Sequence, residues 1–178
     1  AGNYQIVIRA NGEPTQIGAY LIRMDLKASA SAQDRQRMTA ELLLNEARKL
    51  LTQGKYTDPQ LTEKLGRSLT LWQELNDRYG QGLALNSLGV ANYGTRQFEK
   101  AIEQYELALV LVREEKVRAV EATVLNNLGN VYGGLSRYDK AVECYQQVLT
   151  IRHELKDRGG EAASLFDIAW TYERLSRY

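Results

Sequence analysis

Cysteine occurs once in the 178 residues, as Cys144, so neither an internal disulfide nor a multi-thiolate metal site can form. Histidine also occurs once, at His153, and proline only twice. No apolar run approaches the roughly 20 residues that a membrane-spanning helix needs. Charge of one sign is missing too: 23 Lys and Arg stand against 22 Asp and Glu, interspersed rather than blocked. A clustered basic face, the electrostatic footprint of nucleic-acid or anionic-membrane binding, is therefore not expected. The first residues, AlaGlyAsnTyrGlnIleVal, lack a basic stretch followed by an apolar core, so no signal peptide is visible. The cytoplasm is the favoured location on that reading. What remains is Leu, Ala, Glu, Gln and Arg in abundance, which is good helix material.

Internal repetition dominates the rest. LeuAsnSerLeuGly begins at Leu85, LeuAsnAsnLeuGly at Leu125 and LeuPheAspIleAla at Leu165, each forty positions after the last. Residues 82–121 and 122–161 align without a gap at 14 identities in 40. Within each unit the apolar spacing is helical: Leu85, Leu88, Asn92 and then Leu125, Leu128, Tyr132 form one stripe per helix. A small residue follows the second leucine (Gly89, Gly129, Ala169), where a neighbouring helix could approach closely. Polar turns are expected around Arg96–Gln97 and Ser136–Arg137. A second helix then carries Ala101, Ile102, Tyr105, Ala108 and Leu109, repeated as Ala141, Val142, Tyr145, Val148 and Leu149. Glycines commonly stop helices, so LysAspArgGlyGly at 156–160 is expected to end one. Each unit reads as a helical hairpin, and a stack of such hairpins is a solenoid.

The pattern LeuGly-x-x-Tyr, an aromatic, LysAla(Ile/Val)Glu-x-Tyr and then Leu resembles the tetratricopeptide repeat. Leu128, Gly129, Tyr132, Tyr138, Ala141 and Tyr145 fall on its signature positions. LeuAsnAsnLeuGly and IleArgHisGluLeuLysAspArg are similar to the kinesin-light-chain-like, forty-residue subgroup and to long bacterial and cyanobacterial repeat arrays. The resemblance implies an all-α, right-handed superhelix over residues 35–178, divided as 35–80, 81–120, 121–160 and 161–178. The first unit departs from the pattern, with two extra residues around Asp58–Pro59. Before the array, residues 1–27 alternate in the manner of a β-hairpin, resembling the last strands of a small exported β-sandwich, and 28–34 read as a linker. If that sandwich resemblance holds, a secreted or periplasmic location is the alternative.

Catalysis has little to stand on. His153 has no nucleophile or orienting acid implied beside it, and Cys144 lies on a packing helix as a small apolar residue. No cofactor and no metal are implied, and the tyrosines recur on core positions rather than forming a platform for single-stranded nucleic acid. The expected function is therefore a non-catalytic scaffold with a protein or peptide partner. Two alternatives stand beside it: self-assembly through solenoid ends or the hairpin edge, and a recruiting region of a larger protease-like effector with a CHAT domain.

The resemblance implies where a peptide would lie, namely on the first helix of each hairpin, which lines the concave side. The positions just before the signature leucine and just after the small residue select Asn86, Ser87, Asn126, Asn127, Asn130, Asp167 and Trp170, with Asn45 and Arg48 in the degenerate unit. Asparagine competes with the backbone inside a helix, so its recurrence asks for a reason. One reason is an amide ladder facing an extended peptide, since each amide offers a donor and an acceptor. The other is a hydrogen bond between adjacent repeats.

Overall fold

The computed structural model describes residues 31–176, and these form seven α-helices: α1 (Ala32–Thr52), α2 (Pro59–Glu74), α3 (Arg78–Gly94), α4 (Phe98–Glu114), α5 (Arg118–Gly134), α6 (Tyr138–Glu154) and α7 (Arg158–Leu175). The expected hairpin at 1–27 lies outside the described residues. The linker expected over 28–34 is shorter at its C-terminal side, because α1 already starts at Ala32. Ser31 caps it through a reciprocal capping box with Asp34, each satisfying an otherwise orphaned backbone N–H.

The corners between helices follow one geometry at twenty-residue intervals. Asn76, Arg96, Lys116, Ser136 and Lys156 all hold φ between 51° and 60°, the left-handed region. At each, the next N–H reaches back to the helix: Asp77 to the Trp72 carbonyl, Gln97 to Asn92, Val117 to Val112, Arg137 to Tyr132 and Asp157 to Arg152. This is the Schellman closure, which normally favours glycine at its left-handed position. Here only the first corner has one, Gly54 at φ 70°.

The expectation that Gly159 and Gly160 end a helix is therefore overturned. α6 ends at Glu154, Lys156 makes the turn, and both glycines lie in the first turn of α7. Asp157 caps α7 by accepting from the Gly160 N–H at 2.9 Å, and Asp77 caps α3 in the same way on Gly80 at 2.8 Å. The carboxyl of Asp157 is held below its ordinary range, first by the Gly160 N–H and further by Arg152.

Helices α1–α2, α3–α4 and α5–α6 pack as antiparallel hairpins, and α7 packs on α6. In the second and third hairpins the seam is set by a glycine facing a ring. Gly89 lies so close to the Tyr105 ring, and Gly129 to the Tyr145 ring, that a Cβ at either would overlap the ring edge at 2.4 and 2.5 Å. Tyr105, Ala101, Ala108, Val124, Val131, Ala141 and Tyr145 form a continuous buried core through the middle of the stack.

Neighbouring hairpins are also joined by charge. Glu121 is almost fully buried at the start of α5, and it accepts from Arg113 Nε on α4 at 2.8 Å and from Arg118 Nη1 at 2.6 Å. Arg118 also reaches Glu154 at the end of α6, at 2.6 Å, and Arg78 makes the equivalent ion pair with Glu114 forty residues earlier. A buried carboxylate is tolerated when its oxygens are satisfied in this way.

First helices touch one another, α1 with α3 and α3 with α5, whereas α2 with α4 and α4 with α6 make no comparable contact. The first-helix layer is thus the tighter one and lies on the inside of the bend, as expected for stacked hairpins.

Candidate functional site: the inner face of the solenoid

Residues selected from the sequence divide into those that serve the fold and those that do not. Ser87 is 2% exposed and donates to the Leu83 carbonyl of its own helix, so it offers nothing to a ligand. Asn127 donates from Nδ2 to Asn86 Oδ1 at 3.0 Å, across the seam between α5 and α3. That amide pair ties adjacent repeats. Asn130 accepts from the Tyr145 hydroxyl at 2.8 Å, which fixes the ring already seated against Gly129. These three asparagines are thereby engaged within the protein.

The register explains why the tie is made once. At the α1–α3 seam the residues matching Asn86 and Asn127 are Leu44, buried, and Ser87. The corresponding residues of α5 and α7 are Asn126 and Asp167, and no hydrogen bond among the described residues joins them. Asn45, Arg48, Asn126 and Asp167 have no side-chain hydrogen bond or ion pair among the described residues. Asn45 is exposed and the other three are half-buried. Burial lowers the pKa of the Arg48 guanidinium, and burial raises that of the Asp167 carboxyl. Both shifts mark charges partly stripped of water, with Tyr79 alone acting against the shift at Arg48 and nothing acting against it at Asp167. Trp170 is 42% exposed with Arg174 stacked on its ring at 4.9 Å, a cation–π contact.

His153 is largely exposed, 3.3 Å from Glu161. No cluster of three or more His, Cys, Asp or Glu able to hold a metal occurs among the described residues, and none of their helices is long and apolar enough to cross a membrane. Cys144 is buried, and burial pushes its thiol up to about 11 from an ordinary 9.0. Folded protein is therefore expected to react with a thiol reagent at pH 8 at least tenfold more slowly than the urea-unfolded chain, since the thiolate is the nucleophile; equal rates would show Cys144 to be accessible. The same shift has a sign for stability. Between pH 9 and 11 the unfolded thiol releases its proton first, so the folded state holds more protons and stability falls as pH rises. Burial raises Tyr105 and Tyr145 above their ordinary 10.0 as well, which extends the loss further into alkali.

A family model of the tetratricopeptide repeat matches residues 120–178. That match covers 59 of the 178 residues. Among solved structures, the chain is similar to a signal-transduction ATPase of the STAND class with a tetratricopeptide repeat sensor from Pyrococcus horikoshii, at 18% identity and a TM-score of 0.70 over 79% of this chain and 22% of that one. It is similar to the apo form of RapI at 18% identity and a TM-score of 0.70, over 79% of this chain and 51% of that one. It is similar also to nearly identical kinesin-light-chain TPR-like repeats from Podosopora anserina, at 18% identity and a TM-score of 0.65, covering 82% and 69% of the two chains. The chain thus spans only about a fifth and about a half of the first two proteins. No curated protein matches. At these identities the likeness establishes the fold alone, a tetratricopeptide-type solenoid.

Proposed function

We propose that the inner face of the first helices holds an extended segment of a protein partner. The observation that carries this reading is Arg48, a half-buried guanidinium that the fold desolvates and leaves unpaired. A buried charge without a partner costs stability, and a ligand carboxylate or backbone carbonyl would recover that cost on binding. Asn45 and Asn126 supply free amides along the same layer, able to donate to and accept from an extended backbone. Asp167, on the opposite end of the array from Arg48, gives the groove a direction. An acidic group of the ligand lies toward α1 and a basic group toward α7.

Asn86, Asn127 and Asn130 enter this account as supports that position the layer. Their removal is expected to loosen the repeat seam and so to change stability before it changes recognition. Arg48→Glu and Asn126→Ala are expected to keep the helical content and melting temperature close to those of the parent while weakening ligand binding at least tenfold. Titration of a bound peptide, followed by tryptophan fluorescence of Trp170, reads this directly. Unchanged affinity in both variants would place the ligand on another surface.

A further inference from the structure

Residues of α3, α5 and α7 converge on the Tyr145 hydroxyl. It donates to Asn130 Oδ1 of α5 at 2.8 Å. Burial, then the Asp167 carboxylate of α7, and further Cys144 and Tyr93 push that hydroxyl up, so Asp167 and Tyr93 both lie within electrostatic reach of it. Asp167 is half-buried, no cation acts on it, and its carboxylate accepts no hydrogen bond among the described residues. Asn126 lies one turn before Asn130 on the same stripe of α5, half-buried and with its amide unengaged. The Asn127–Asn86 bond sets the register of α5 on α3, and it brings Tyr93, 39% exposed, level with Gly134.

The floor between these groups is bare. Gly133 and Gly134 follow Asn130 on α5, and a Cβ at either would meet nothing within 4 Å. Glycine is unfavourable inside a helix, and neither usual reason for keeping it applies here. The left-handed corner belongs to Ser136, and no ring presses on this pair as Tyr105 presses on Gly89. The open space stands beside a lone desolvated carboxylate, two amide oxygens and an aromatic ring.

We propose, resting on the peptide reading above, that this part of the inner face is a subsite for an arginine side chain of the bound segment. A guanidinium is planar and carries five donors and no acceptor. Asp167 offers it two carboxylate oxygens, and Asn126 Oδ1 and the remaining lone pair of Asn130 Oδ1 accept beside them. Tyr93 offers a ring face at the glycine floor, where a flat cation stacks. Lysine fits less well, because its compact and strongly hydrated ammonium uses neither the fork of acceptors nor the ring face to the same extent. A methylated lysine needs a cage of rings, and the Trp170 face already carries Arg174 at 4.9 Å.

The test uses peptides enriched on the intact chain from a random display library, resynthesised with each arginine replaced in turn by lysine or by neutral citrulline. Binding is read by fluorescence anisotropy. One arginine is expected whose replacement by citrulline weakens binding roughly tenfold, and by lysine roughly threefold or more. Asp167→Asn removes an unpaired charge and is expected to melt no lower than the parent. On that variant the same citrulline replacement is expected to change affinity by less than about twofold, because its partner is already gone. Gly134→Leu puts a side chain on the bare floor, is expected to keep the helical content, and is expected to weaken the arginine peptide on the order of tenfold. Peptides that lose affinity on Arg48→Glu yet contain no arginine sensitive to Asp167→Asn overturn the subsite and leave the peptide reading standing. Lysine bound as tightly as arginine at the sensitive position overturns it as well. A library that yields no enrichment overturns both.

Discussion

Tyr105→Ala is expected to destabilise the solenoid by about 3–5 kcal/mol, the range for removing a fully buried aromatic side chain. Tyr105 is 1% exposed and lies at the middle of the continuous core, between Ala101, Ala108 and the face of Gly89. Glycine cannot move its own atoms into the space the ring leaves, so the site collapses poorly and the cavity term is kept. The position matters as much as the volume. In a stack whose units contact only their neighbours, stability is a sum of unit and interface terms, and a weak central unit uncouples the two ends. Urea unfolding followed by circular dichroism is therefore expected to show a lower midpoint together with a broader transition. Tyr105→Phe, which keeps the ring, is expected to stay within about 1 kcal/mol of the parent, the scale of a single hydrogen-bonding group. A cost below about 1 kcal/mol for the alanine variant would mean that the ring is not the packing element described here.

The second large effect has an internal control in the same helix. Gly129→Ala adds one methyl group, and alanine is better than glycine inside a helix by about 1 kcal/mol. Yet the new Cβ would stand 2.5 Å from Tyr145 Cε1 and under 3.0 Å from two further ring atoms. The ring cannot give way cheaply, because it is buried and its hydroxyl is held by Asn130. Overpacking of this kind costs about 1–3 kcal/mol and is expected to outweigh the helical gain. Gly133, one turn later in α5, has nothing within 4 Å of a Cβ. Gly133→Ala is accordingly expected to stabilise by about 0.5–1 kcal/mol. In a Tyr145→Ala background the sign at Gly129 should reverse, and Gly129→Ala should become favourable. Thermal melts of the four variants measure this coupling, and additive effects of the Gly129 and Tyr145 changes would contradict the ring-in-slot account.

What the sequence made readable was the period. Leu85 and Leu125 recur at forty residues because both are buried in equivalent seams, and Leu165 keeps the same spacing although it is exposed. The corners were harder to read. Glycine is the usual left-handed stop, and here that role belongs to Asn76, Arg96, Lys116, Ser136 and Lys156, none of which advertises it. The glycines near them serve the following helix: a Cβ at Gly160 would strike the Asp157 carboxyl and the Arg152 side chain, and one at Gly80 would strike the Trp72 ring. A glycine's local meaning depends on which ring packs over it, and local sequence does not contain that.

The asparagines show the same limit. Asn86 and Asn126 hold the same repeat position, forty residues apart, yet Asn86 bonds to Asn127 and Asn126 has no side-chain hydrogen bond among the described residues. Their roles depend on the residue contributed by the next first helix, which becomes a neighbour only through stacking. Arg48 was selected by its place in the repeat. Its partial burial without a counter-ion is a tertiary property, set by how α1 lies against α3.

The central claim, that the inner face reads a polypeptide, is tested most directly by selecting a random-peptide display library on the parent chain and reassaying the enriched peptides on folded Arg48→Glu. The account predicts enriched sequences with an acidic residue toward one end, bound at least tenfold more weakly by the variant. Peptides that bind both proteins equally, or a library that yields no enrichment at all, would contradict it.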